Sequence, residues 1–181
     1  MAIYTKKGDQ GETALYDNES RQNIRVSKHS LRIRAIGTTD ELNSFLGVVA
    51  SISQDSELKK KISEIQRNLL TIGSILAGSK LAFSKTKTKN LERLLDKLEG
   101  SLPVLKNFVL PGGSQVAAYL NYARTLARRT EREVVALSKA GGVKPQILTY
   151  LNRLSDTLFM LARQINYQEG IKEELWRGRR K

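Results

Sequence analysis

A bundle of five helices is what this sequence predicts, and three observations carry the prediction. Five stretches repeat apolar residues at helical spacing, the joints between them are short, and glycine or proline punctuates most of their ends. The chain has 181 residues, enough for one domain with a sizeable core. No internal repeat is visible, and nothing marks a second domain.

Residues 1–37 are polar, contain glycine and lack a helical period, so an ordered N-terminal loop segment is expected there. The first helix of the 38–170 bundle is expected to start at the capping-box pattern Thr38-x-x-Glu41, which would make Asp40 and Glu41 first-turn acids on the helix dipole. Its apolar face is Leu42, Phe45, Leu46 and Val49. A second helix runs from about Glu57 to Ala77, with Leu58, Ile62, Ile65, Leu69, Ile72 and Leu76 in register. Residues 78–89 read as loop, with Lys85, Lys87 and Lys89 in solvent. A short helix follows on Leu91, Leu94, Leu95 and Leu98, stopped by Gly100. The fourth helix, near 114–140, opens after Leu110-Pro111-Gly112-Gly113-Ser114 and ends at Gly141-Gly142. Pro145 suits the first turn of the last helix, whose seam is Ile147, Leu148, Leu151, Leu154, Leu158, Leu161 and Ile165. The end of the chain, 171–181, is a basic tail.

Composition narrows the chemistry. The net charge of +13 favours acidic partners such as nucleotides, nucleic acid or a membrane surface. With no cysteine there is no disulfide, thiolate metal site or cysteine nucleophile. The single histidine, His29, excludes a His-pair zinc site and leaves serine–histidine catalysis little room. No signal-like N-terminus and no apolar run of transmembrane length is present, so a cytoplasmic protein without a membrane partner is expected.

The fourth helix carries the strongest local signal. Arg124, Arg128 and Glu131 fall on one flank of the stripe Val116, Leu120, Ala123, Ala127, Val134 and Leu137, while Arg129 and Glu133 point elsewhere. Charges beside an apolar seam are costly to desolvate unless each has a partner. Arginine forks there suit carboxylates or phosphates, so the helix is expected to bear an anion site or an ion-paired interface. A second polar flank, on the last helix, holds Asn152, Asp156, Phe159 and Arg163; it fits a hydrogen-bond network between helices as well as a ligand role. Arg153 lies on the outer side.

At the N-terminus, Thr5-Lys6-Lys7-Gly8-Asp9-Gln10-Gly11-Glu12-Thr13 could turn backbone N–H groups, hydroxyls and ammonium groups toward a polyphosphate. It is not a Walker loop, and alone it reads as an ordinary glycine turn. Lys28 adds a cation that alone would be a surface charge, and Phe108 alone would be a core aromatic.

Together and in order these segments say more. Thr5-x-x-Gly8-Asp9-x-Gly11-x-Thr13, Lys28, Gly37-Thr38-Thr39-Asp40-Glu41-Leu42-Asn43-Ser44, Phe108-Val109-Leu110-Pro111-Gly112-Gly113-Ser114, Ala123-Arg124-Thr125, Arg128-Arg129-Thr130-Glu131-Arg132 and Leu151-Asn152-Arg153-Leu154-Ser155-Asp156 resemble the PduO-type ATP:cob(I)alamin adenosyltransferases. The match runs from about Tyr4 to Trp176. The resemblance implies an all-α five-helix bundle assembling as a homotrimer with active sites between subunits. It implies ATP and a corrinoid as substrates, with Mg²⁺ on the phosphates and no protein ligand assigned to it. By carry-over, Thr5, Lys6, Gly8, Asp9, Gly11, Thr13, Lys28, Arg128, Glu131 and Asn152 bind ATP. Asp40 pairs across the subunit boundary with Arg124, Phe108 fills the lower face of the corrin, and Asp156 also contacts the corrinoid. The implied reaction moves the 5′-deoxyadenosyl group of ATP to cobalt(I) and releases triphosphate. A reductase would supply electrons, and an adenosylcobalamin-dependent enzyme would accept the product.

Two other readings compete. A basic helical nucleic-acid-binding protein would explain the net charge and the tail Arg177-Gly178-Arg179-Arg180-Lys181. It needs cations spread over an exposed face, whereas Arg124 and Arg128 flank an apolar seam, and aromatics for base stacking are few. A catalytically inactive, ATP-sensing relative is opposed by Phe108, Asn152 and the whole arginine block.

Overall fold

The computed structural model describes residue 4, residues 6–17 and residues 20–176. Five helices are present as expected: α1 (Leu31–Ile52), α2 (Ser56–Leu76), α3 (Thr86–Ser101), α4 (Gln115–Lys139) and α5 (Pro145–Gln168). They are preceded by an antiparallel hairpin of β1 (Glu12–Asp17) and β2 (Gln22–Ser27), in which Thr13 opposes Val26 and Leu15 opposes Ile24. The N-terminal segment is therefore not loop throughout. Of the hairpin side chains only Leu15 is buried, so no alternating apolar face announces the strands.

Helix α1 starts seven residues before Thr38, at Leu31, with Ser30 as its N-cap accepting from the Ile33 N–H at 3.4 Å. The Thr38 and Thr39 hydroxyls donate back to the Ala35 carbonyl at 3.2 and 2.7 Å, so neither caps a helix start. The helical register extends backward because Ala35 and Thr39 are buried in line with Leu42, Leu46 and Val49. Asp40 and Glu41 consequently sit within the helix.

Helix α2 buries all six predicted apolar positions, and Asp55 caps it by accepting from Glu57 N–H and Leu58 N–H at 2.8 and 3.1 Å. Helix α3 begins inside the lysine stretch expected as loop and passes through Gly100 to end at Ser101. Lys87 is not a free surface charge: it donates to Asn68 Oδ1 and lies 5.5 Å from the Phe83 ring centre. Gly141 and Gly142, at φ +99° and +86°, end the α4 segment, and Pro145 opens α5.

Helix α4 packs between α1 and α5, with α2 outside α1 and α3 outside α5. The core is built from these faces, each fully buried leucine contributing about 1.5–3 kcal/mol. Across it, Asn68 Nδ2 of α2 donates to the Tyr150 hydroxyl of α5 at 3.2 Å. Burial pushes the Tyr150 phenol far above its ordinary range, so it stays neutral. Among the described residues no helix is long and apolar enough to cross a membrane.

Candidate active site

Three groups of predicted residues occupy different places. The first is the N-terminal loop. Lys6, at φ +59°, and Gly11, at φ +81°, let the chain double back, with Asp9 N–H bonding the Lys6 carbonyl and Gly11 N–H the Gly8 carbonyl, each at 3.3 Å. Lys28 closes the loop twice: its N–H donates to the Gly11 carbonyl at 2.8 Å and its Nζ to the Gly8 carbonyl at 2.9 Å. Arg25 reinforces this through the Lys7 carbonyl and a 3.4 Å ion pair with Glu12. Lys6, Gly8, Asp9, Gly11, Thr13 and Lys28 are thus brought together, as expected; Thr5 lies outside the described residues.

Beside this loop a cleft of about 620 Å³ opens between the hairpin, α1 and α2. Thr13 and Lys28 line it on one side, and Asp40 and Asn43 on another. Asp40 is exposed and makes no ion pair among the described residues. Asn43 Oδ1 is buried without a hydrogen-bond partner.

The second group is on α4 and α5. Its charges divide as the helical spacing predicts. Arg129 pairs with Glu41 and Glu133 with Arg34 (2.7 Å), both toward α1. Arg124 and Arg128 have no carboxylate partner among the described residues, and Arg124 Nε is buried with no acceptor. Burial, and then the neighbouring Arg128 charge, lower the Arg124 pKa. Glu131 accepts from Asn152 Nδ2 at 3.0 Å, tying the second polar flank to the first. No α4 or α5 residue lines the 620 Å³ cleft. A single chain therefore leaves the N-terminal loop and the arginine flank apart.

The third group is Phe108 and Asp156. Phe108 is no core aromatic: it stands 77% exposed on the α3–α4 loop, its ring meeting the Trp176 ring edge-on at 6.4 Å. Asp156 is exposed on α5 and pairs with Arg153 at 3.3 Å; Arg153 also lies 3.5 Å from Glu92, so it bridges α5 to α3. Asp156 lines a separate cavity of about 600 Å³ between α3 and α5, which Phe108 does not reach.

What the sequence did not disclose is how the Phe108 loop is held. Asn166, buried near the end of α5, accepts from the Ser114 N–H and donates to the Gly112 carbonyl, each at 3.0 Å. Arg163, also buried, pairs with Glu173 beyond the helix at 2.9 Å. The available signal was a polar pair at i, i+3, Arg163 and Asn166, beside the apolar seam that ends at Ile165. No group of three or more His, Asp or Glu side chains among the described residues could hold a metal.

The arrangement can cradle a polyphosphate at the loop and place arginine forks against a second anionic or polar surface, with an exposed aromatic nearby in sequence to the arginine helix. Known proteins resemble the chain in sequence and fold. The family model described as Cobalamin adenosyltransferase matches residues 3–165. The corrinoid adenosyltransferase of Bacillus subtilis (strain 168) is 40% identical over 179 residues, covering 94% of this chain and 90% of that protein. Among solved structures, a Phe→Ala variant of a PduO-type ATP:corrinoid adenosyltransferase from Lactobacillus reuteri, complexed with cobalamin and ATP, is 35% identical with a TM-score of 0.91, covering 98% of this chain and all (100%) of that one. An Arg→Lys variant from the same organism, complexed with ATP, is 35% identical with a TM-score of 0.89, covering 97% and 100%.

Proposed function

The chain belongs to the cobalamin adenosyltransferase family, and we propose on that basis that it transfers the 5′-deoxyadenosyl group of ATP to the cobalt of a reduced corrinoid. The observation that carries the site assignment is the separation of two incomplete halves. One half is the loop and cleft with Asp40, unpaired among the described residues; the other is the Arg124–Arg128 flank, where a buried guanidinium nitrogen lacks an acceptor among them. A homotrimer with sites between subunits completes both halves, Asp40 of one copy meeting Arg124 of the next.

In the reaction, cobalt(I) attacks the 5′ carbon of ATP, the carbon–oxygen bond breaks, and triphosphate leaves with the electron pair as the cobalt–carbon bond forms. Thr5, Lys6, Gly8, Asp9, Gly11, Thr13 and Lys28 form the loop that holds the phosphates, through hydroxyls, ammonium groups and those backbone N–H groups not already bonded within it. Arg128 neutralises charge building on the leaving triphosphate. Glu131 and Asn152, bonded to each other, fix the nucleotide's orientation so that the 5′ carbon faces cobalt. Little acid–base machinery is needed, which accords with one histidine and no cysteine. A Mg²⁺ accompanying ATP would offset charge on the phosphates, with no protein ligand assigned to it.

Phe108 covers the lower face of the corrin. Excluding water and a lower ligand leaves cobalt(II) four-coordinate and easier to reduce, a task for an apolar side chain on an exposed loop. Asp156, held by Arg153, contacts the corrinoid periphery. The enzyme works in the cytoplasm, with a reductase supplying electrons and an adenosylcobalamin-dependent enzyme taking the product.

The test is anaerobic mixing of the protein with ATP, Mg²⁺ and chemically reduced cob(I)alamin, followed by the corrin spectrum. Conversion to the adenosyl form with equimolar triphosphate is expected. ATP binding without conversion would leave only nucleotide sensing, and absence of ATP binding would overturn the site.

A further inference from the structure

The α3–α4 loop that carries Phe108 has no helix or strand of its own, yet it is bonded along its length by the segment that follows α5. Leu110 N–H donates to the Glu174 carbonyl and Trp176 N–H to the Phe108 carbonyl, each at 2.8 Å, and Val109 and Leu175 face each other as an antiparallel bridge. The same segment is anchored at its other end. Arg163, only 7% exposed, donates through Nε and Nη2 to the Glu173 carboxylate at 2.9–3.2 Å and through Nη2 to the Pro103 carbonyl at 2.9 Å. One guanidinium therefore joins α5, the C-terminal segment and the beginning of the Phe108 loop.

A buried guanidinium is costly unless fully paired, and breaking such a pair is costlier than never having it. This one lies at the bundle's end and binds two irregular segments to each other, so what it specifies is their relative position. At the outer end of the same ladder the Trp176 and Phe108 rings meet at 6.4 Å and 69°, the edge-to-face geometry aromatic pairs prefer. Trp176 is itself 55% exposed and belongs to no core cluster, so packing of the bundle does not account for it.

We propose that Trp176 is a positioning residue for Phe108: the segment 171–176, clamped by Arg163 and Glu173, holds the Phe108 ring at the angle it presents to the corrinoid. The inference rests on the lower-face role given to Phe108 above. A phenylalanine on an unsupported loop would sample several rotamers, and each departure from the covering one would admit water to cobalt. Trp176 removes that freedom by closing one side of the ring.

The experiment compares Trp176→Ala, Trp176→Phe, Glu173→Gln and Phe108→Ala with the unaltered enzyme in two assays. One starts from chemically prepared cob(I)alamin, the other from cob(II)alamin with a coupled reductant. The electron paramagnetic resonance spectrum of cobalt(II) in the ATP complex separates four- from five-coordinate metal. Trp176→Ala is expected to lose roughly tenfold or more from cobalt(II), equivalent to about one rate decade of barrier. From cobalt(I) it should stay within about threefold, with the five-coordinate signal growing. Trp176→Phe restores most of the loss, and Glu173→Gln moves in the same direction by less. Equal rates, or equal losses, in both assays for Trp176→Ala overturn the positioning role while Phe108→Ala still shows the split. Equal losses for Phe108→Ala overturn the lower-face role and this inference with it.

Discussion

Arg124 and Arg128 stand one helical turn apart and face different environments. Arg124 is half-buried, its Nε is without an acceptor, and burial lowers its pKa, whereas Arg128 is exposed. The first needs a fixed partner, the place proposed for Asp40 of a neighbouring copy; the second, proposed to meet the substrate, has the freedom to follow a charge that changes during the reaction. Arg128→Ala is therefore expected to lower kcat by about 10²–10³-fold, the usual loss for one preorganised donor. Its thermal unfolding should stay unchanged. Near-normal turnover in the corrin-spectrum assay would remove Arg128 from the site. Helical spacing alone separated these two arginines from Arg129 and Glu133, because a charge's direction on a helix follows from its position in the register.

At the scale of elements, what holds the Phe108 loop matters most. Gly113 has φ +102° and a side chain there would overlap the Asn166 amide, the group that bonds both Gly112 and Ser114. Gly113→Ala is expected to cost roughly 2–3 kcal/mol, combining backbone strain with displaced hydrogen bonds, and to shift the denaturant midpoint accordingly. A midpoint within error of the unaltered protein would show that Asn166 does not hold the turn. Helices α2 and α4 were legible at both ends, and α5 at its start, because a cap, a glycine pair or a proline coincides with the limits of a long apolar stripe. The start of α1 was not. Its first turns carry Arg32 and Arg34, and a capping pattern seven residues later is satisfied by threonines that bond back along the helix. Local chemistry admitted both starts, and burial of Ala35 decided between them.

For the whole molecule, the separated halves argue for assembly. An exposed Asp40 beside a cleft and a half-buried Arg124, unpaired among the described residues, are poor features of an isolated chain but complementary ones between copies. Light scattering is expected to give three times the chain mass. Asp40→Asn should reduce turnover by about tenfold or more and make the trimer dissociate at higher protein concentration, as loss of one partner of a desolvated ion pair does. A stable, fully active Asp40→Asn trimer would show that the pair contributes nothing.

Apolar periodicity, caps and the order of motifs were sufficient for the sequence to determine the five helices, most of the core, the division of charges on α4 and the family. These are properties of residues near one another along the chain, where spacing is geometry. Tertiary structure alone decided the rest. It made a hairpin of strands that bury only Leu15, drew Lys87 onto Asn68, and joined Arg163 to Glu173 and Trp176 to Phe108. Each of these depends on which distant segments meet. A contact across tens of residues leaves no periodic trace in the segments that make it, so only the folded chain could show that residues 174–176 bond to the Phe108 loop.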